Sequence, residues 1–393
     1  MRREPGNPLE NMPCCGAKPL TKRRNSMLHN DPFESWLFHR KMKWLPSHPL
    51  TEQQAKVSAA LDRLTAFLDN PPPKRALSDL GLWGWNGAVS LNPTDVPRAQ
   101  ELYRRVFLTG GTGSKHVQET LLDLLAATED PTSVPFWKEM LDLSRPRDHF
   151  TGKRRTFALA ALAQLLAQRD APSAYEALQQ AAHHSQPEVR ALAVRYLGLA
   201  YLETERPIPL ELRHDLIQIA THDKAFEPRF QARMVLRNAE QPVPQEHPHG
   251  AYDFKVKFMR DKGIFRTIAV RAKQTLDDLH FAILRAINWD ADHLYSFFMN
   301  GQLYDARYQI SCPQDEDAAI WTDEIEIGNL GLVMKHKFLY YFDYGDSHKF
   351  EVEVVGIHPD IQQGKYPRVV ESKGKAPAQY GWEDEDNDEW EDK

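Results

Sequence analysis

Phe338-Leu339-Tyr340-Tyr341-Phe342-Asp343-Tyr344-Gly345-Asp346-Ser347-His348-Lys349-Phe350-Glu351-Val352-Glu353-Val354-Val355 is the strongest local folding signal in this chain of 393 residues. Phe338, Tyr340 and Phe342 alternate with Leu339 and Tyr341, and Phe350, Val352 and Val354 alternate with Glu351 and Glu353. A period of two places each set on one face of a strand. Between the two runs, Asp343-Tyr344-Gly345-Asp346 reads as a tight turn in which the aspartate bonds its own backbone and Gly345 supplies a positive φ. The stretch predicts a β-hairpin and therefore a sheet in this part of the chain.

The same period appears upstream. Asp253–Phe258 and Phe265–Val270 read as two strands joined across Asp261-Lys262-Gly263, and His293–Phe298 as another, turning at Asn300-Gly301. Between them lies a helix opened by Thr275 as N-cap with Asp278 at its third position, and with Leu276, Leu279, Ile283 and Ile287 on one face. Two strands, a helix and further strands make an α+β arrangement of ββα-β order, similar to the β-grasp.

The ordered set Thr275-Leu276, Trp289-Asp290-Ala291-Asp292-His293-Leu294, Asn300-Gly301-Gln302-Leu303-Tyr304, Tyr341–Asp346 and Tyr366-Pro367-Arg368 resembles the plasmid pRiA4b ORF-three-like family over about residues 251–382. That family includes passenger proteins of insertion elements, so the resemblance implies a fold and a mobile-element setting, not a reaction. The chain departs from the pattern twice. His348 and Phe350 stand where the family continues with Trp and then His, and Ala376-Pro377-Ala378-Gln379-Tyr380-Gly381 replaces a stretch that contains cysteine and acids.

Upstream of the Pro-rich segment 241–250 the period is helical. Val57, Leu61, Leu64 and Leu68 recur at steps of three and four, with Thr51 as a possible cap and Pro71-Pro72-Pro73 as the stop. Four helices align on Thr120/Leu124, Ala161/Leu165, Ala193/Leu197 and Ala232/Leu236, at offsets of 41, 32 and 39, with first helices over 134–143, 173–183 and 209–220 between them. Such offsets bracket the period of paired-helix solenoids. Pro187–Gly198 closely resembles the second-helix signature of HEAT repeats, with Pro187 starting the helix and small Ala191 and Ala193 admitting a neighbour. The expected fold is thus an N-terminal HEAT-like α-solenoid followed by a β-grasp-like α+β domain. Its divisions are a basic, disordered segment over 1–44 with a short helix near 32–44, helical repeats over 45–240, a linker over 241–250, the α+β domain over 251–372, and an acidic disordered tail over 373–393.

The net charge of −6 is unevenly spread: +5 over residues 1–44, 0 over 45–240 and −11 over 241–393. A neutral helical body is not a phosphate-binding groove. No stretch approaches the ~18 apolar residues of a membrane span, and Cys14, Cys15 and Cys312 make no disulfide framework. A cytoplasmic protein with reduced thiols is expected. The glycine-rich runs at 80–87 and 110–115 lack a preceding strand, so Trp83 and Trp85 read as a core plug and Gly110–Lys115 as a turn into a helix. Trp36 and Trp44 read as docking residues, and His247 and His249 as part of a solvated linker.

The leading expectation is a non-enzymatic interaction protein that binds a protein partner through its helical repeats, with no cofactor, no bound metal and no membrane contact. The alternative is a metal-dependent enzyme on nucleic acid, a nuclease or recombination accessory. Its candidate residues are Asp290, His293, Asp343, Asp346 and His348, with Asp292 nearby, because metal-activated water needs several carboxylates or imidazoles on adjoining strand ends. A serine-resolvase reading lacks the required N-terminal strand with its arginine and serine. The acidic run 383–393, with Trp382 and Trp390 set among eight carboxylates, reads as a solubilising or docking tail attracted weakly to the basic N-terminus.

Overall fold

Helical periodicity at the N-terminal side becomes a row of paired helices. The structure is a computed structural model and describes residues 50–72, 76–80, 89–360 and 364–380. The helix expected near 32–44, the packing of Trp36, Trp44, Trp83 and Trp85, Cys14 and Cys15, and the run 383–393 lie outside the described residues. Helices run over Leu50–Asp69 (α1), Val96–Thr109 (α2), Ser114–Thr128 (α3), Val134–Asp142 (α4), Thr151–Arg169 (α5), Pro172–Ala182 (α6), Pro187–Leu202 (α7), Leu210–His222 (α8) and Phe226–Asn238 (α9). The first starts at Leu50, so Thr51 lies inside it instead of capping it. Prolines at the first turn of α2, α4, α6 and α7 hold φ at a helical value where no backbone donor is needed.

Helices α3, α5, α7 and α9 pack in succession, and α2, α4, α6 and α8 each pack on the member that follows them. Ala193 to Tyr201 of α7 are all buried. Gly198 marks a close approach in this row: a Cβ there would sit 2.4 Å from Val235 Cγ2 of α9. Across the same pair of hairpins, Arg190 holds Asp223 with two bonds of 2.7 Å, a fork geometry stronger than a single contact. Gly113, ahead of α3, has φ +83°, and a Cβ on it would meet the Ser78 backbone at 2.4 Å, so the 110–115 run is a turn into a helix.

The C-terminal part is one seven-stranded antiparallel sheet covered by a helix. Its strands are Ala251–Phe258 (β1), Phe265–Arg271 (β2), Tyr295–Phe298 (β3), Gln309–Ser311 (β4), Lys337–Phe342 (β5), His348–His358 (β6) and Arg368–Lys373 (β7), in the order β4-β3-β5-β6-β1-β2-β7. Helix α10 (Leu276–Ile287) follows β2 and packs over it. The expected capping box at Thr275 and Asp278 is present. The helical part followed by an antiparallel sheet makes an α+β chain. No helix among the described residues is long and apolar enough to cross a membrane, and Cys312 is a buried free thiol.

The central hairpin pairs Phe342 with His348, Tyr340 with Phe350 and Phe338 with Val352. Its turn differs from the expected one. The positive φ angles fall on Asp343 (55°) and Ser347 (55°), not on Gly345. Asp343 Oδ1 accepts the Gly345 and Asp346 N–H groups at 2.9 and 3.2 Å, and the Ser347 N–H reaches the Asp343 carbonyl at 2.7 Å. These bonds hold an aspartate in the left-handed region, which its short side chain tolerates.

The 241–250 segment is docked, which corrects its reading as a solvated linker. Glu246 pairs with Arg229 and, at 2.7 Å, with Arg233, whose side chain is fully buried. Arg233 also donates to the Pro244 and Ala220 carbonyls, and Arg229 to that of Gly331 at 3.0 Å. Phe226 stacks on His336 with ring centroids 3.7 Å apart, and Phe230 on Tyr308. Gly331 has φ +74°, and a Cβ there would lie 2.6 Å from Arg233 Nε. A single buried apolar cluster runs from Val57 through this junction to Val354.

Two imidazoles packed against this core, His280 buried and His336 half-buried, make it sensitive to acid. His280 stacks on Tyr295 and meets the Tyr340 hydroxyl through Nδ1 at 2.8 Å; burial pushes it down to about 3. His336 donates to the Met299 carbonyl at 2.7 Å, and burial pushes it down to about 4. An unfolded histidine titrates near 6.5, so on acidification the unfolded chain takes up these protons first. Their stabilisation is intact above about pH 6.5 and is lost as pH falls toward 4, at up to about 1.4 kcal/mol per proton per pH unit. Thermal melts should therefore show Tm declining from pH 7 to pH 5, with a shallower decline for His336→Phe. Equal slopes in the two proteins would exclude His336 as a source.

Candidate functional site

Three chain segments converge at one end of the sheet. They are the loop 289–294 between α10 and β3, the β5–β6 turn, and residues 376–380 beyond β7. The loop is tied to the turn by the Asp343 N–H donating to the Leu294 carbonyl at 3.0 Å. Trp289 is buried beneath them, its ring 4.5 Å from that of His348, and its indole N–H donates to the Pro377 carbonyl at 2.8 Å.

Gln379 closes the third side. Its side-chain carbonyl accepts the Asp290 N–H at 2.7 Å and its amide donates to the Asp290 carbonyl at 3.1 Å, imitating a strand pair with a side chain. Next to it, the Tyr380 hydroxyl lies 3.2 Å from Asp292 Oδ2 and 3.1 Å from His293 Nε2.

His348, only 1% exposed, heads the inward-facing row of β6. Its Nε2 lies 3.1 Å from the Gln379 backbone carbonyl. A carbonyl only accepts, so Nε2 carries the proton and Nδ1 presents a lone pair in the neutral ring. Nδ1 is buried and has no hydrogen-bond partner. Burial lowers the basicity of this imidazole, and the Asp343 and Asp346 carboxylates partly offset that effect. One atom each from Asp343, Asp346 and His348 lie within 4.8 Å of one another, with Asp343 buried and Asp346 exposed.

The five sequence candidates therefore separate. Asp343, Asp346 and His348 come together. His293 stands beside them, its Nε2 3.4 Å from Asp343 Oδ2 and 3.5 Å from Asp292 Oδ1. Asp290 does not join: its carboxylate is exposed and it enters the site through its backbone. Gln379 and Tyr380 were not among the candidates. They lie in the stretch that departs from the family pattern, and their contacts span about ninety residues, with no periodicity to announce them. Two carboxylates and a neutral imidazole can share a proton or ligate a cation.

A separate cavity of about 370 Å³ lies where α7 and α9 end, lined by Leu202, Glu203, Arg206, Ile208, Arg213 and Asn238. Burial alone pushes the Glu203 carboxyl up to about 7.

Gln379 is the tether of the closing segment. Removing two hydrogen bonds with the Asp290 backbone costs about 1–3 kcal/mol. Gln379→Ala should accelerate amide exchange at 376–380 and at 290–293 by tenfold or more while leaving β1 and β6 protected. Unchanged exchange at 376–380 would show that another contact holds the segment.

Residues 250–381 match the model of the family described as plasmid pRiA4b ORF-3-like protein, a span that contains the whole of this site. No curated protein matches the chain. Among solved structures, the crystal structure of a protein of unknown function from Methanosarcina mazei Go1 is similar at 23% identity, covering 33% of this chain and 71% of that one, with a TM-score of 0.28. The C-terminal third is thus the part of the chain that carries the plasmid pRiA4b ORF-3-like pattern.

Proposed function

We propose that the chain is a non-enzymatic interaction protein, a HEAT-like solenoid that binds a protein partner and is fused to an α+β domain of mobile-element type. The observation that carries this reading is the succession α3, α5, α7 and α9, each backed by the helix before it. Stacked pairs of this kind bury a continuous core and leave an extended surface for a partner. Support also comes from the cavity at the ends of α7 and α9, which brings carboxylates and guanidinium groups to that surface. The neutral charge of residues 45–240 favours a protein over nucleic acid as partner, in a cytoplasmic setting. In the α+β domain, the β-grasp likeness rests on the ββα order of β1, β2 and α10.

A partner of the helical part should be recovered with the full chain in fixed stoichiometry. It should be lost from a full-length variant in which exposed Glu176, Gln180, Glu211 and Gln218 are replaced by lysine, with Tm unchanged. Recovery of the same set by both proteins would overturn the reading.

The alternative, a metal-dependent nuclease or recombination accessory, is supported by the convergence of Asp343, Asp346 and His348. Incubation with DNA and RNA in Mg²⁺ or Mn²⁺ tests it. Turnover by the wild type and none by Asp343→Ala/Asp346→Ala would favour the enzyme; equal or absent turnover would remove it.

A further inference from the structure

We propose that Asp343, Asp346 and Nδ1 of His348 bind one divalent transition-metal ion at the β5–β6 turn. The proposal deepens the site on which the alternative reading rests, but it requires no catalysis.

The carboxylates alone would not carry this inference, since acidic turns are common without an ion. His348 is the independent observation. It is almost completely buried, yet Nδ1 has no hydrogen-bond partner, and a ring nitrogen of this residue lies within 4.8 Å of both carboxylates. An unsatisfied buried polar atom is costly, and a ligated cation would satisfy it. The other nitrogen donates to the Gln379 carbonyl. Metal-binding histidines characteristically donate their second N–H to a carbonyl or carboxylate, which fixes the tautomer and aims the free lone pair.

The carboxylates are placed to complement it. Asp343 spends Oδ1 on the Gly345 and Asp346 N–H groups, leaving Oδ2 for the ion. Asp346 is exposed, so its carboxylate has room to swing inward. Some closure is needed, because bonds of about 2.0–2.2 Å hold ligand atoms roughly 3–4 Å apart. One nitrogen and two oxygens select zinc, manganese or iron over magnesium and calcium, which prefer all-oxygen shells. His293, beside Asp343 Oδ2, is the adjacent group that a small inward shift would bring to the same ion.

The test is calorimetric titration of the full chain with Zn²⁺, Mn²⁺ and Mg²⁺ in the absence of nucleic acid, so that failure to bind is separate from failure to turn over a substrate. One equivalent of Zn²⁺ should bind at least tenfold more tightly than Mg²⁺ and raise Tm. Asp346→Ala, a change at an exposed position, should keep the metal-free Tm while weakening Zn²⁺ at least tenfold. His348→Gln should weaken it likewise. Weak binding by the acidic run 383–393 is common to all three proteins and cancels in the comparison. Absence of a saturable equivalent, equal Zn²⁺ affinity in wild type and both variants, or Mg²⁺ binding as tight as Zn²⁺ would each overturn the proposal.

Discussion

The buried contact of Arg229 and Arg233 with Glu246 makes the helical row and the sheet a single object. The two arginines are four residues apart and so share one face of α9. Burying a guanidinium is tolerable only when its donors are spent, and here they are spent on Glu246 and on the carbonyls of Ala220, Pro244 and Gly331. Pro242 and Pro244 supply the extended backbone that brings Glu246 back against α9, and Gly331 leaves the gap that Arg233 fills. Losing one member of such a group leaves an uncompensated buried charge, at a cost of about 3–5 kcal/mol. The aromatic stacks of Phe226 on His336 and Phe230 on Tyr308 surround it with apolar surface.

How much of this could be read beforehand followed the range of each interaction. Local periodicity exposed α3, α5, α7 and α9 through their small-residue and leucine positions, and the alternation of Phe338 to Val354 exposed β5 and β6. The Thr275–Asp278 box was legible because both partners lie within four residues. Strand β4 is only three residues long, and β7 is exposed along its whole length, so Arg-Val-Val-Glu-Ser-Lys has no alternation to display. The docking of 241–250 was illegible for another reason. Proline and histidine there imply a solvated stretch, and only Arg233 of α9 and the Gly328 carbonyl, which accepts the Glu246 N–H, make Glu246 a half-buried partner.

The candidate site shows the same division. Asp343, Asp346 and His348 were visible because they belong to one turn and the start of one strand. Which residue would carry the left-handed conformation was not, because glycine is the ordinary choice and the bonds to Asp343 decide otherwise. Asp290 was a reasonable candidate by type, but its N–H and carbonyl are what Gln379 uses. A glutamine far along the chain carries no chemical signature of such a role.

Register explains why the histidine stands where it does. The pairing of Phe342 with His348 and Tyr340 with Phe350 places His348 on the face of β6 that buries Phe350, Val352 and Val354. A slip of one residue would bury Lys349 and Glu351 in that face, so the apolar row fixes the imidazole's direction more firmly than any polar contact could. The row would be as well served there by an apolar side chain packed on Trp289 and Phe342. An imidazole instead brings a ring nitrogen to within 4.8 Å of two carboxylate oxygens. The bond to the Gln379 carbonyl accounts for Nε2, and a cation at the head of the row would account for Nδ1.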